Sequence, residues 1–193
     1  MLNDTSVAGL LGLQDFLVAA PDRTRKAASF ALNRVIGGSG LQRYRKGLMD
    51  EINFPAGYLN DERFGVDRRA SPDNLVTSLV ARQRPTSLAR FAVAGAGKGV
   101  TVQVGKGKGT NRFQTGFLVG LNSGNLGLAV RLGPGVKLNK TDTSRMVHLE
   151  ANVVLLYGPS IDQLLDNGVA DKETPEVIDD IATEFFRQFD RLA

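Results

Sequence analysis

Cysteine and tryptophan are absent from this chain, and histidine occurs once, as His148. Without a thiol there is no disulfide framework, no Cys-ligated zinc or iron–sulfur centre and no thiol nucleophile. One imidazole cannot supply a multi-histidine metal centre. Long apolar runs are also lacking, since no stretch approaches the roughly 18 residues that a membrane span needs. The nearest candidate, Val7 to Ala20, is interrupted by Asp15 and has no basic residue before it, so it does not read as a signal peptide. It is expected to form a short amphipathic helix, buried or at an interface, in an intracellular or particle-bound protein. What is present is ordinary for a folded domain: 193 residues, 42% hydrophobic and 23% charged, enough for a single domain with a real core.

The net charge of +4 conceals a polarity along the chain. Residues 1–20 carry −2, residues 21–69 carry +4, residues 70–140 carry +9 and residues 141–193 carry −7. Such asymmetry points to an anionic partner for the middle segment, or to docking of the acidic end on the basic middle within one chain or between copies.

The first third reads as helical. Asp22 follows Pro21 as a cap, and Ala28, Ala31, Leu32, Val35 and Ile36 recur at helical spacing until Gly37-Gly38. Ser39 caps a second helix, with Leu41, Tyr44, Leu48 and Ile52 as its stripe, which must end before Pro55. Gly57 to Asp73 is polar and irregular, and is expected to be a loop or a short helix. Strands are predicted over Leu75–Arg82, Val100–Val104, Phe113–Leu121, Leu126–Leu132 and Val153–Tyr157, the last of them central. Asn122-Ser123-Gly124-Asn125 has hairpin chemistry. Ser160 and Gln163 form a capping box, and Thr174-Pro175 is read as the start of the final helix. The apolar stripe of that helix is Val177 or Ile178, then Ile181, Phe185, Phe189 and Leu192, with Phe186 on its flank. It is expected to dock on the sheet or on a neighbouring subunit.

Known chemical motifs fail one by one. A Walker loop needs Gly-Lys-Ser/Thr, but Lys98, Lys106 and Lys108 are each followed by glycine, and the glycine required six residues upstream is Ala92, Val100 or Val102. The dinucleotide-binding glycine spacing fails as well. Gly37-Gly38-Ser39-Gly40-Leu41 lacks the last glycine of a nucleophile elbow. His148 and Glu150 are near each other, yet no nucleophile accompanies them, and a structural or solvated histidine is the better reading. No cofactor, metal or catalytic set emerges. What remains is Arg82, Arg84, Arg90, Lys98, Lys106, Lys108 and Arg112, on strand ends and glycine turns suited to tracking a phosphate backbone or meeting another protein. Aromatic interleaving is thin, with only Phe91, Phe113 and Phe117.

Several phrases together resemble the minor tail protein Z or tail-completion family of long-tailed bacteriophages. They are Ala81-Arg-Gln-Arg-Pro-Thr-Ser-Leu-Ala-Arg-Phe91, Phe117-Leu-Val119 with Gly127-Leu-Ala-Val-Arg131, Leu156-Tyr-Gly-Pro-Ser-Ile-Asp-Gln163, and Glu184-Phe-Phe-Arg-Gln-Phe-Asp-Arg-Leu192. Ala31-Leu-Asn-Arg34 is similar to the family's first helix, so the likeness spans most of residues 22–192. It implies a non-enzymatic virion component at the head-proximal end of the tail, made in the host cytoplasm and needed for head–tail joining or DNA placement. It also implies a homo-oligomeric ring, commonly six-fold, in contact with tail tube, terminator or neck proteins, with no membrane partner and with possible non-specific contact to genomic DNA.

The expected architecture is α+β in a single domain. It has helices over residues 1–55, a largely antiparallel sheet over 64–157, and C-terminal helices over 159–193 packed on that sheet. The seven basic residues above, with Phe185, Phe186 and Phe189, are the candidate subunit-facing or DNA-facing residues. The alternative from another class is a basic nucleic-acid-binding module.

Overall fold

The computed structural model describes residues 22–93, 98–133, 146–150 and 152–192. The expected helix at Val7–Ala20 and the glycines at 95 and 97 lie outside the described residues. The fold is α+β, with two long helices and three small antiparallel sheets in place of one continuous sheet. In chain order the elements are α1 (Asp22–Ile36), α2 (Ser39–Glu51), β1 (Phe64–Arg68), β2 (Ser78–Ala81), a 3-10 turn (Leu88–Phe91), β3 (Ala92–Val93), β4 (Val100–Val102), β5 (Asn111–Phe113), β6 (Gly116–Gly120), β7 (Leu126–Arg131), β8 (Met146–Glu150), β9 (Val153–Leu156), α3 (Ile161–Leu164), a wide turn (Leu165–Val169) and α4 (Ala170–Arg191). Two compact units result. One holds the described residues up to Arg45, Phe64–Val80 and the chain from Ala170 onward; the other holds Lys46–Arg63 and the described part of Ala81–Val169.

In the first unit α4 packs along α1, whose contact face is made small by the buried Ala27, Ala28 and Ala31. Val35, Ile36 and Val177 form the core there, with Tyr44, Val66, Leu79 and Ile181 packed around them. The final helix therefore finds its main partner in α1, and Val66 and Leu79 of the small β1–β2 sheet pack against the same core. An alanine face lets the two helix backbones approach closely enough to bury that stripe. Of the two candidate stripe residues, Val177 is buried and Ile178 is exposed.

The start of α4 also departs from expectation. Thr174 is not its cap: the helix begins at Ala170 and runs through Pro175, following the wide turn that Gly168 permits at φ 112°. Pro175 offers no N–H to the Asp171 carbonyl, while Thr174 turns its hydroxyl back to the Ala170 carbonyl at 2.6 Å. Tertiary contacts hold this segment helical despite the proline. The Tyr44 hydroxyl meets Thr174 Oγ1 at 2.9 Å, and Arg43 pairs with Glu176 and, at 3.2 Å, with Asp180. At the other end Arg23 donates to the Phe189 carbonyl at 2.7 and 3.2 Å, supplying a partner to a helix-terminal acceptor. Asp22 pairs with Arg25 one turn along α1.

The stretch expected to be irregular contains a strand, β1. Asn33 on α1 fixes the far end of this segment by exchanging two 2.8 Å hydrogen bonds with the backbone of Ala70. β2 is shorter than predicted, because Leu75–Thr77 precede it without strand pairing.

In the second unit β3, β4 and β5 form one antiparallel sheet, and β6-β7-β9-β8 form another. The single strand predicted over Phe113–Leu121 is thus two strands in different sheets. The chain folds back at residues 114–115 so tightly that a Cβ on Gly116 would lie 2.8 Å from that of Phe113. The predicted hairpin turn is present, with Gly124 at φ 76° and its N–H bonded to the Leu121 carbonyl at 2.8 Å. β9 is internal and buried at all four residues, as the sequence indicated. The Ser160–Gln163 capping box forms in both directions, at 3.1 and 3.2 Å.

Glu184 generates a prediction. Hydrogen bonds from Arg187 are the main cause that holds its carboxyl down to about 2 from the usual 4.5, with help from Gln188 and the Arg34 charge against the cost of burial. A carboxylate whose pKa falls on folding stabilises the fold above its unfolded value, and that contribution disappears as pH drops toward the folded value. Because Arg34 and Arg187 are largely in solvent, the contribution is on the order of 1–2 kcal/mol rather than the full shift. Urea denaturation at pH 6 should place Glu184→Gln below the wild type by that amount, and the gap should close near pH 2. Parallel pH profiles for the two proteins would contradict this.

Candidate functional site

In the second unit, the segment Ala81 to Phe91 forms a strap whose course follows from a few residues. Pro85 fixes an extended start, and Ser87 caps the 3-10 turn by accepting from the Ala89 N–H. The backbone N–H of Thr86 donates to the Pro159 carbonyl at 3.3 Å, and that of Gly158 donates to the Thr86 carbonyl at 2.7 Å. Ser87 bridges Tyr157, and the Ser87 hydroxyl reaches the Leu126 carbonyl at 3.2 Å. Gly158 eases this approach: a Cβ there would lie 3.2 Å from a Leu88 methyl, a tight contact, and 3.4 Å from the Phe91 ring.

Beneath the strap is an aromatic stack. Phe54 and Tyr58 lie nearly parallel with centroids 5.0 Å apart, and Phe91 tilts against Phe54 at 5.8 Å. Tyr58 is placed by a turn in which its N–H bonds to the Pro55 carbonyl at 3.0 Å and Gly57 adopts φ 72°, a value that favours glycine. Its buried hydroxyl is 3.0 Å from the hydroxyl of Thr86, itself buried.

Around this stack is a cavity of about 180 Å³ lined by Arg63, Arg82, Arg84 and Arg90, with polar groups from Ser87, Ser123 and Asn125. The guanidinium of Arg63 lies 4.8 Å from the Tyr58 ring centre and that of Arg90 5.1 Å. Arg63 also donates to the Tyr58 carbonyl at 3.2 Å, and Arg90 to the Asn125 side-chain oxygen at 3.0 Å. Among the described residues no carboxylate lines the cavity, and no side-chain hydrogen bond or ion pair holds Arg82 or Arg84. Arginine keeps its charge at any working pH, so this is a standing concentration of positive charge with planar donors.

No family model matches this chain, and neither does any curated protein or solved structure. The functional reading therefore rests on the residues.

Of the seven basic residues singled out in the sequence, the structure brings three together, Arg82, Arg84 and Arg90. Arg112 donates to the Lys98 carbonyl at 3.0 Å, so these two meet on the β4–β5 side. Lys106 and Lys108 lie on a turn anchored to the end of α2. There the Lys106 N–H bonds to the Glu51 carbonyl at 2.9 Å, Asn53 donates to the carbonyls of Gln103 and Gly105 at 3.2 Å, and the Lys106 ammonium pairs with Asp50 at 3.0 Å. That is why β4 ends at Val102 rather than Val104. Lys98, Lys106, Lys108 and Arg112 are all exposed.

The three phenylalanines belong to the first unit. Phe185 and Phe189 are half-buried with centroids 5.9 Å apart, and the Arg23 guanidinium lies 4.1 Å from the Phe189 ring centre. Phe186 is 64% exposed and, with Ile178, leaves an apolar strip on α4 facing solvent. His148 sits on β8, an edge strand of the four-stranded sheet, opposite Val154.

Sequence reasoning does not reach Arg63 and Tyr58, because their polar, irregular stretch reads as a loop or a short helix. A tyrosine directly after Pro55-Ala56-Gly57, with an arginine five residues on, is the signal the sequence offers. Tyr58→Phe tests the hub: it keeps the ring and removes the buried hydroxyl, leaving Thr86 without that partner. A loss of about 1–2 kcal/mol in urea unfolding is expected, and unchanged stability would count against the hydroxyl pair.

Proposed function

We propose that this chain is a non-enzymatic structural protein of a tailed-phage virion, assembling as a ring at the head-proximal end of the tail in head–tail joining or DNA placement. The resemblance phrases support this reading, and two of them are joined in space: the strap Ala81–Phe91 is bonded through Thr86 to Gly158 and Pro159 of the second phrase.

The observation that carries the reading is the four-stranded sheet, whose edge strands are β6 and β8. Leu118 on β6 and Leu126 on the neighbouring β7 are 45% and 55% exposed, and Val147 and Leu149 on β8 are 51% and 45% exposed. Leu126 stands opposite Gly120, so no cross-strand side chain covers it. Folded proteins rarely leave apolar edge strands in water, because an open edge is a template for pairing with another chain. A closed ring covers one edge with a different surface of the next copy, which is a heterologous contact. The exposed strip at Ile178 and Phe186 offers further apolar surface for such contact.

The second reading, a basic nucleic-acid-binding module, is favoured by the exposure of Lys98, Lys108 and Arg112. The native mass of the purified chain separates the two. A ring of about six 20.7-kDa copies is expected at low salt, weakening as salt rises if charge contributes to the contacts. Leu118→Lys with Leu126→Lys should yield folded monomer. A chain that stays monomeric at low and moderate salt, yet binds duplex DNA in a way lost when Lys98, Lys106 and Lys108 become Glu, would replace the ring reading with the second.

A further inference from the structure

We propose that the arginine cavity of the second unit is a binding site for a phosphoryl group. Its size comes first: about 180 Å³ is below the range of pockets for whole metabolites and suits one tetrahedral anion with the atoms attached to it.

Its chemistry is one-sided. Four arginines line it and, among the described residues, no carboxylate does, so their mutual repulsion is relieved by an anion. A planar guanidinium presents two parallel N–H groups, and this fork fits phosphate oxygens in a bidentate way that an ammonium cannot reproduce.

Preorganisation is the third point. Arg63 and Arg90 are held beside the Tyr58 ring at 4.8 and 5.1 Å, and each spends one hydrogen bond on an oxygen of the protein, at 3.2 Å to the Tyr58 carbonyl and 3.0 Å to Asn125. Their remaining N–H groups stay available, and the side chains lose little further freedom when a ligand arrives. Arg82 is half-buried and Arg84 exposed just before Pro85, and both add guanidinium groups to the same cluster.

The first unit provides a contrast. Its larger groove also carries two arginines, Arg34 and Arg43, but Asp180 and Glu184 line it with them and both arginines are ion-paired. In that groove the arginines are answered by carboxylates, whereas among the described residues none lines the second-unit cavity.

The phosphoryl group can come from a nucleic-acid backbone or from a small free phosphate, and the site chemistry is common to both. This assignment does not depend on the ring reading, since it concerns a cavity within one unit of one copy. The test is calorimetric titration of the full chain with inorganic phosphate, with acetate and with a mixed-sequence single-stranded oligodeoxynucleotide, all at low ionic strength. Native mass is recorded in parallel, so that loss of assembly and loss of anion binding are read separately.

Wild type should bind phosphate in preference to acetate. Arg84→Gln and Arg82→Lys should each weaken phosphate binding about 5- to 20-fold, while Arg68→Gln in the first unit leaves it unchanged. Arg84 is exposed, so its variant is expected to fold, and an unaltered unfolding midpoint verifies this. If oligonucleotide binding falls in parallel and phosphate competes with it, the source is a nucleic-acid backbone. If only phosphate binding falls, the source is a small phosphate. Absence of phosphate binding, binding indifferent to Arg82 and Arg84, or tighter binding of acetate would overturn the assignment, the last in favour of a protein carboxylate.

Discussion

The second unit depends on a pair of backbone bonds that join Thr86 to Gly158 and Pro159. They connect segments more than 70 residues apart in a chain whose strands there are only two to six residues long. Strands of that length cannot fix a loop by themselves. Once the strap is pinned, Phe91 closes over Phe54, the Thr86 hydroxyl meets Tyr58, and Arg82 and Arg90 are carried to the same place. The absence of a side chain at Gly158 eases the approach, and the Ser160 capping box just beyond it stops the chain from continuing as a strand. Local chemistry over Gly158–Gln163 thereby sets the position of arginines that lie far away in sequence.

Tyr58 turns this packing into electrostatics. An aromatic face attracts a guanidinium without neutralising it, whereas a carboxylate cancels the charge it binds. Arg63 and Arg90 are therefore localised while their charge remains in the cavity. Buried on its other contacts by Phe54 and Thr86, the ring is rigid enough to serve as a platform. Its energetic role in folding and its role in placing charge are one and the same contact.

The parts of the fold legible in sequence are those fixed by neighbours along the chain. Gly37-Gly38, the Gly124 hairpin, the Ser160–Gln163 box and the all-apolar β9 depend on local rules, and each lies where those rules put it. The parts that were not legible depend on distant partners. β1 exists in a polar stretch because β2 pairs with it, and α4 passes through Pro175 because Tyr44 and Arg43 hold that turn from another helix. The break between Phe113 and Gly116 reflects a reversal between two sheets, which hydrophobic alternation alone reads as continuous. At the candidate site, Arg82, Arg84 and Arg90 could be found as a basic run. Arg63 and Tyr58 could not, because what makes them part of the site is the strap folding over them.

Charge asymmetry along the sequence takes a different meaning in the two units. The acidic terminal helix is engaged by arginines of the two helices at the start of the chain, Arg43 with Glu176 and Asp180 and Arg34 with Glu184, while Arg187 meets Glu184 from within the helix itself. Part of the −7 of the last segment is thus answered by Arg34 and Arg43 of the early one, inside the first unit. The +9 of the middle segment has one acid of its own, Asp73, which lies in the first unit, and in the second unit Lys106 draws on Asp50. Three of its arginines, Arg82, Arg84 and Arg90, instead line one cavity with Tyr58, and among the described residues no carboxylate lines it with them. A chain with 20 acidic residues had carboxylates to place there, and an excess that is concentrated and held in position answers to a ligand better than to solubility, for which dispersed charge serves as well.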